Sequence, residues 1–185
     1  MILKHFLFCC FLLTGMLQHS CTKDNGSSIA DPVAGTFKAT STAFIKDGTL
    51  PKLYTCDSLG IAPPLSWTNA PAGTTSFAIT MHTIPLSPPN HVYMLIYNIP
   101  ANITALPENS TGLGIWGINT VNGQQKYTPP CSQGPGAKLY TFTVYALSAP
   151  PIFSVPASQV NVDLLLSAIS GKTLASSIIN VTYTR

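Results

Sequence analysis

The chain has 185 residues, of which 45% are hydrophobic and only 8% are charged, and its formal net charge is +3. That length and apolar content suffice for one domain with a hydrophobic core. The scarcity of charge argues against a polyanion partner, because nucleic-acid binding needs clustered Lys and Arg, and the last residue, Arg185, is the only arginine.

The first twenty residues are predicted to be a lipoprotein signal peptide (1–20). Lys4 supplies a basic start, and the apolar stretch Phe6 to Leu17 is shorter than the ~20 residues of a membrane-spanning helix. The stretch ends in Leu-Gln-His-Ser-Cys, which resembles a bacterial lipobox. This predicts lipidation of Cys21 and a protein exported and anchored to the bacterial envelope, at the periplasmic face or the cell surface. The alternative is ordinary cleavage, with Cys21 as a bystander.

Residues 21–35 are predicted to form a flexible tether that carries Cys21. From Thr22 to Gly35 the residues are polar or turn-forming and show no apolar periodicity. The domain is therefore expected to span residues 36–185.

Beyond the tether, short segments that favour β-structure recur between Pro and Gly residues. Several strands at such spacing predict a sandwich or a barrel. In the segment Leu139 to Tyr145, residues alternate between Thr and larger side chains, which predicts one buried and one polar face. The predicted strands are Phe37 to Ile45, Lys52 to Cys56, Ser76 to Thr83, Val92 to Ile99, Leu139 to Leu147 and Ile178 to Thr184.

The clearest helix signal follows Asn161. Asn is a good N-cap, Asp163 in the first turn complements the helix dipole, and Gly171 is a typical residue after a helix end. Leu164, Leu165, Ala168 and Ile169 would form its apolar face.

The cysteine count leaves one pair in the domain. Of five cysteines, Cys9 and Cys10 lie in the predicted signal peptide and Cys21 would carry lipid, so Cys56 and Cys131 remain. In an oxidising compartment they can form a disulfide that closes a loop of about 75 residues. Two separate thiols are the alternative.

Catalytic and metal-binding patterns are weak. After removal of the signal peptide, His82 and His91 are the remaining histidines, and no Gly-x-Ser-x-Gly motif or obvious carboxylate pair occurs. Their spacing is not a standard metal-ligand spacing, and Cys-x-x-Cys is absent. We therefore expect no enzyme activity, no metal and no cofactor; a weak hydrolase or metal protein is the least favoured hypothesis.

An ordered set of motifs resembles the phosphatidylethanolamine-binding protein family, in its bacterial branch related to Raf kinase inhibitor protein. The most specific motif is Pro-Pro-Leu-Ser-Trp-Thr-Asn-Ala-Pro-Ala-Gly at 63–73, followed at a typical distance by Tyr-Asn-Ile-Pro at 97–100. The resemblance covers about Phe37 to Arg185. It implies a mostly β fold, with two antiparallel sheets packed as a Greek-key sandwich and one or two short peripheral helices. It also implies a small surface pocket and no reaction.

The family's pocket motifs are only partly present. The acidic loop is replaced by Met-His-Thr-Ile-Pro at 81–85, the strand histidine by Tyr93, and His-Arg-Tyr by Lys-Leu-Tyr at 138–140, whereas Pro-Pro-Cys at 129–131 is kept. The resemblance implies that the ligand contacts His82, Tyr93, Pro130, Lys138 and Tyr140. Each also has a structural alternative, such as a solvated lysine, a hydrogen-bonded histidine or a packed tyrosine.

These residues predict a divergent anion pocket. Lys138 brings a permanent charge and the tyrosines bring hydroxyl donors. The predicted function is a non-enzymatic binding module for a small anionic or phospholipid-headgroup-like ligand, held on a membrane by its lipid anchor. The alternative is a protein-interaction or protease-inhibitor role with a partner protein in the envelope.

Overall fold

The computed structural model describes residues 37–83, 91–133 and 135–185, in which nine strands and one α-helix are found. The predicted signal peptide, the tether and Cys21 lie outside the described residues. Single 3-10 turns occur at Lys52–Tyr54 and Ala157–Gln159. The strands are β1 (Lys38–Thr40), β2 (Gly48–Thr49), β3 (Leu65–Thr68), β4 (Ser76–Thr83), β5 (Val92–Pro100), β6 (Ala105–Leu106), β7 (Ile115–Trp116), β8 (Lys138–Leu147) and β9 (Thr173–Tyr183), and the helix is α1 (Val162–Ile169).

The strands form two sheets, as predicted. One has the order β1-β3-β6 and the other β2-β9-β8-β4-β5-β7. All pairs are antiparallel except β2 with β9, which are parallel over two residue pairs. This exception to the prediction is an edge strand of two residues, and very short edge strands offer little backbone for pairing with another chain.

The main hydrophobic core lies between the two sheets. From the small sheet, Trp67 is 1% exposed and packs against Phe77 of β4 with 5.1 Å between ring centroids. Ile79 and Met81 follow Phe77 at alternate positions of β4 and belong to the same core. Burial of each such side chain contributes about 1.5–3 kcal/mol, so the motif around Trp67 holds the small sheet on the large one.

The other face of the large sheet is covered by α1. Val162, Leu165 and Ile169 are buried there and pack in a second core with Ala78 and Leu95 from the sheet. The central strands are therefore buried on both faces. This corrects the expectation for β8, in which the Thr face is buried as well as the face with the larger residues.

The helix begins where the sequence predicts. The Asn161 side chain accepts a hydrogen bond from the Leu164 backbone N–H at 2.9 Å, and Gly171 has a φ of +74° after the last turn. The predicted apolar face is wrong at Leu164, which is 40% exposed, because Val162 takes the buried position. No described helix is long and apolar enough to cross a membrane.

Asn98 occupies an irregular position in β5. Phe77 pairs with Ile99 but Ile79 pairs with Ile96, so β5 has one extra residue in this stretch. Asn98 has a φ of +54°, and Asn tolerates this left-handed conformation better than most residues. The side-chain oxygen of Asn98 is buried without a hydrogen-bond partner among the described residues.

Candidate functional site

A cavity of about 730 Å³ opens at one end of the large sheet. We call it the anion cavity, after the prediction that an anion binds there. Strands β4, β5 and β8 contribute Thr83, Tyr93, Lys138 and Tyr140 to its lining. Loop residues complete the lining: His91, Thr120, Val121, Asn122, Thr128, Pro129, Cys131, Ser132 and Gln133. No Asp or Glu lies among these described lining residues.

A β-bulge directs Tyr93 toward the cavity. Met81 pairs with Met94 and His82 pairs with Val92, so Tyr93 is the extra residue on β5. Bulges change the direction of side chains relative to a regular ladder, and Tyr93 consequently shares the inter-sheet core with Met94. Its ring meets that of Tyr140 edge-on, with centroids 5.4 Å apart.

The loop beside β5 is organised by Asn119, which is fully buried. Its side-chain oxygen accepts hydrogen bonds from the backbone N–H groups of Val121 and Asn122, and its amide donates to the Gln124 carbonyl at 2.7 Å. Such Asx turns fix a loop without regular secondary structure. The loop in turn holds Asn122 in the cavity wall.

A disulfide between Cys56 and Cys131 holds the opposite wall. Their Cα atoms are 5.3 Å apart, and the Cys56 N–H also donates to the Pro130 carbonyl at 3.2 Å. Of the two alternatives for these cysteines, the structure has the bridged one. The next residue, Ser132, is 2% exposed, and its hydroxyl has no hydrogen-bond partner of acceptable geometry among the described residues. The Ser132 hydroxyl and the Tyr140 phenol interact, so the two hydroxyl groups lie close together in the cavity wall.

Lys138 is the permanent cation of the cavity. It is exposed and forms no ion pair with a described carboxylate. Its cross-strand neighbour Tyr183 donates a short hydrogen bond to Asp57. Arg185 binds the other oxygen of that carboxylate at 2.9 Å. Asp57 is thus already paired, and the charge of Lys138 remains available for a ligand.

The two tyrosines of the cavity stay protonated at neutral pH. Burial raises the pKa of Tyr93 above its ordinary value. Burial, and secondly the nearby Tyr93 phenol, raises the pKa of Tyr140 to about 12, although proximity to Ser132 acts in the opposite direction. Neutral phenols donate hydrogen bonds, and an anion accepts them.

The structure brings together three of the five residues predicted to contact a ligand. Tyr93, Lys138 and Tyr140 line the anion cavity, but His82 and Pro130 do not. His82 follows Met81 on a regularly alternating strand and so lies on the other face of the sheet, where its ring nitrogen is 2.7 Å from the Thr83 carbonyl oxygen. Pro130 is buried behind the wall. Ligand binding by any of them stays a prediction.

Two lining residues with useful chemistry were not predicted. His91 precedes β5 and lines the cavity, at a position that the sequence shows only as two residues before Tyr93. Ser132 has no sequence signal, since its burial depends on the disulfide. Within the described parts of the chain, no cluster of three or more His, Cys, Asp or Glu can hold a metal ion.

The family is decided by comparison with known proteins. The family model described as phosphatidylethanolamine-binding protein matches residues 40–184. The chain belongs to the phosphatidylethanolamine-binding protein family. A UPF0098 protein of Chlamydia muridarum is 34% identical over 152 residues, which cover 78% of this chain and 96% of that protein. A UPF0098 protein of Aquifex aeolicus is also 34% identical over 152 residues, covering 78% and 86%.

Two solved structures of the family share the fold. A phosphatidylethanolamine-binding protein homolog from Chlamydia trachomatis aligns with a TM-score of 0.73 at 28% identity, over 81% of this chain and 98% of that one. E. coli YbcL, described as a member of the mammalian family, has the same TM-score at 23% identity, over 81% and 99%. The resemblance read from the sequence motifs is confirmed, and so is the mostly β fold.

Proposed function

We propose that this chain is a non-catalytic binding module whose anion cavity holds a phosphate-like group, free or as part of a phospholipid headgroup. The observation that carries the proposal is the ammonium of Lys138, which forms no ion pair with a described carboxylate, in a cavity whose described lining residues include no Asp or Glu. The buried hydroxyl of Ser132 and the neutral phenols of Tyr93 and Tyr140 add donors to the same cavity. Hydrogen bonds from charged or neutral donors to an anion are the strong ones in proteins.

The lining favours the phosphate of a headgroup over its amine. A cationic amine needs carboxylate or carbonyl partners, and an ammonium such as that of Lys138 repels it. We therefore expect phosphorylethanolamine to bind through its phosphate, with its amine contributing little.

Calorimetry with inorganic phosphate and phosphorylethanolamine tests the proposal. Lys138→Ala should weaken phosphate binding by about 10- to 100-fold, because a hydrogen bond to a charged group contributes about 1.5–3 kcal/mol. The matched control is Lys172→Ala. Lys172 lies beside the opposite end of the β8–β9 ladder, where Leu147 pairs with Thr173, and the ten-residue length of β8 separates it from Lys138 by roughly 30 Å.

The control variant should bind phosphate like the native chain. If phosphate and phosphorylethanolamine give no heat of binding, or if both lysine variants bind equally well, the proposed function is wrong.

We further propose that the domain is exported and held on the bacterial envelope by lipid on Cys21, which lies outside the described residues. The support is the apolar segment and the lipobox-like Leu-Gln-His-Ser-Cys sequence. Mass spectrometry of the protein from bacterial membranes should show a diacylglyceryl group on Cys21, and Cys21→Ser should move the protein to the soluble fraction. An unmodified Cys21, or a variant that stays in the membrane fraction, contradicts the anchor.

A further inference from the structure

A second cavity of about 480 Å³ lies beside the anion cavity. We call it the side cavity. Asn122, Thr128 and Pro129 line both cavities. The Thr128 hydroxyl donates to the Asn122 side-chain oxygen at 3.2 Å, which ties the common wall together. The two cavities are therefore adjacent.

The chemistry of the side cavity differs from that of the anion cavity. Apart from Lys126 it is uncharged, and it has no carboxylate among its described lining residues. Its polar groups are amides and hydroxyls, which both donate and accept hydrogen bonds, as the hydroxyls of a sugar do. These side chains are Asn109, Ser110, Thr111, Asn122 and Gln125.

Hydrogen bonds order the backbone that carries several of these polar groups, whose side chains are exposed or half-buried. The backbone N–H of Asn109 donates to the Ala62 carbonyl at 2.9 Å and that of Ser110 to the Pro107 carbonyl at 3.2 Å. Gln125 donates its amide to the Trp116 carbonyl at 2.8 Å, which leaves its side-chain oxygen as an acceptor. A loop whose backbone is already ordered loses less entropy when a ligand binds.

Trp116 adds an aromatic surface to the side cavity. Its half-buried indole packs partly against the main core and partly borders the cavity. An indole offers a large, rigid apolar face that suits the C–H face of a sugar ring. An acyl chain fits less well, since it would remove the amides and hydroxyls from water without replacing their hydrogen bonds.

We propose that the ligand is a phosphate ester of a sugar or another polyol, with its phosphate in the anion cavity and its hydroxyl-rich part in the side cavity. This rests on the proposed function, because the phosphate provides the common anchor. The same chemistry occurs in soluble sugar phosphates and in the headgroups of inositol phospholipids.

Calorimetry with inorganic phosphate, glucose and glucose esterified with phosphate at its primary hydroxyl tests the inference. The ester should bind the native chain at least about tenfold more tightly than inorganic phosphate, because several added hydrogen bonds together exceed one factor of ten. Trp116→Ala should weaken ester binding while phosphate binding is unchanged. Ile115→Ala is the matched control, since Ile115 is on the same strand, 42% exposed, and lines neither cavity.

A fluorescence measurement on the native chain does not depend on the folding of a variant. The chain has two tryptophans, and Trp67 is only 1% exposed. Quenching by acrylamide therefore reports mainly on Trp116. Glucose phosphate should protect this tryptophan from quenching, and inorganic phosphate should not.

Vesicles identify the source of the ligand. If the protein sediments with phosphatidylcholine vesicles that contain phosphatidylinositol, and the Trp116→Ala variant sediments less, the ligand is a lipid headgroup. If it binds the soluble ester but not these vesicles, the ligand is a free sugar phosphate. Equal affinity for phosphate and its ester, without fluorescence protection or vesicle binding, overturns this inference and leaves the anion cavity intact. No binding of any probe, phosphate included, contradicts the proposed function itself.

Discussion

Loss of the Cys56–Cys131 disulfide should destabilise the domain and weaken its ligand site together. The bridge joins residues 75 positions apart, and the chain-entropy relation for such a loop gives about 4.5 kcal/mol at 25 °C. This is a large share of the 5–15 kcal/mol by which folded domains are usually stable. We therefore expect reduction to lower the free energy of unfolding by about 3–4.5 kcal/mol.

Reduction of the disulfide should also loosen the wall of the anion cavity, because Cys131 and Ser132 line it. Without the bridge, we expect the segment around Cys131 and Ser132 to lose order, so that phosphate binding must order it again. Ordering even one residue costs about 1–2 kcal/mol, so phosphate affinity should fall by about tenfold.

Urea unfolding and calorimetry of the oxidised and reduced protein measure the two effects. The double variant Cys56→Ala, Cys131→Ala is the control: it should match the reduced native chain and be indifferent to reductant. A loss of stability below about 1 kcal/mol, with phosphate affinity unchanged, would refute the reasoning.

Three further results are expected. Gly117→Ala should destabilise the fold by about 1–3 kcal/mol, because a Cβ there would be 2.3 Å from the Leu95 side chain. The control Gly112→Ala should not change stability in urea unfolding, because a Cβ at Gly112 meets nothing within 4 Å. Equal effects of the two substitutions would contradict this packing. Asn161→Ala should lower stability by about 1 kcal/mol through loss of the helix cap, and no loss in urea unfolding would exclude that role. Since folding raises the pKa of Tyr140 from its ordinary value of 10.0 to about 12, stability should fall as pH rises through that interval, and less so in Tyr140→Phe. Unfolding curves whose pH dependence is the same for both proteins would exclude this contribution.

The elements that the sequence predicted well are those with local signals. Ser76–Thr83 has the predicted bounds because a β-favouring run lies between turn residues. The predicted strand at Lys52 to Cys56 is wrong. There the Tyr54 N–H donates to the Pro51 carbonyl at 3.0 Å and closes a 3-10 turn. A strand needs a neighbour, and pairing across distant parts of the chain cannot be read from five residues.

The site was predictable where side-chain alternation or a motif pointed to it. Phe77, Ile79 and Met81 alternate along β4 and face the core. Continuing this alternation puts Thr83, and not His82, on the side of the cavity. The sequence therefore contained the information needed to exclude His82 from the cavity lining. The burial of Ser132 could not be predicted from the sequence. It follows from the disulfide and from packing that only the folded chain shows.

The bulge at Tyr93 adds a cavity-lining side chain to β5 without shifting the residues that follow it. Since Tyr93 is the residue without a partner on β4, its removal would convert this stretch into a regular ladder and leave Met94 and the residues after it in register. A cavity-lining side chain has thus been added to the sheet as an insertion rather than as a substitution. Changes in strand length at this point can alter the cavity while the core residues that follow Tyr93 on β5 keep their register.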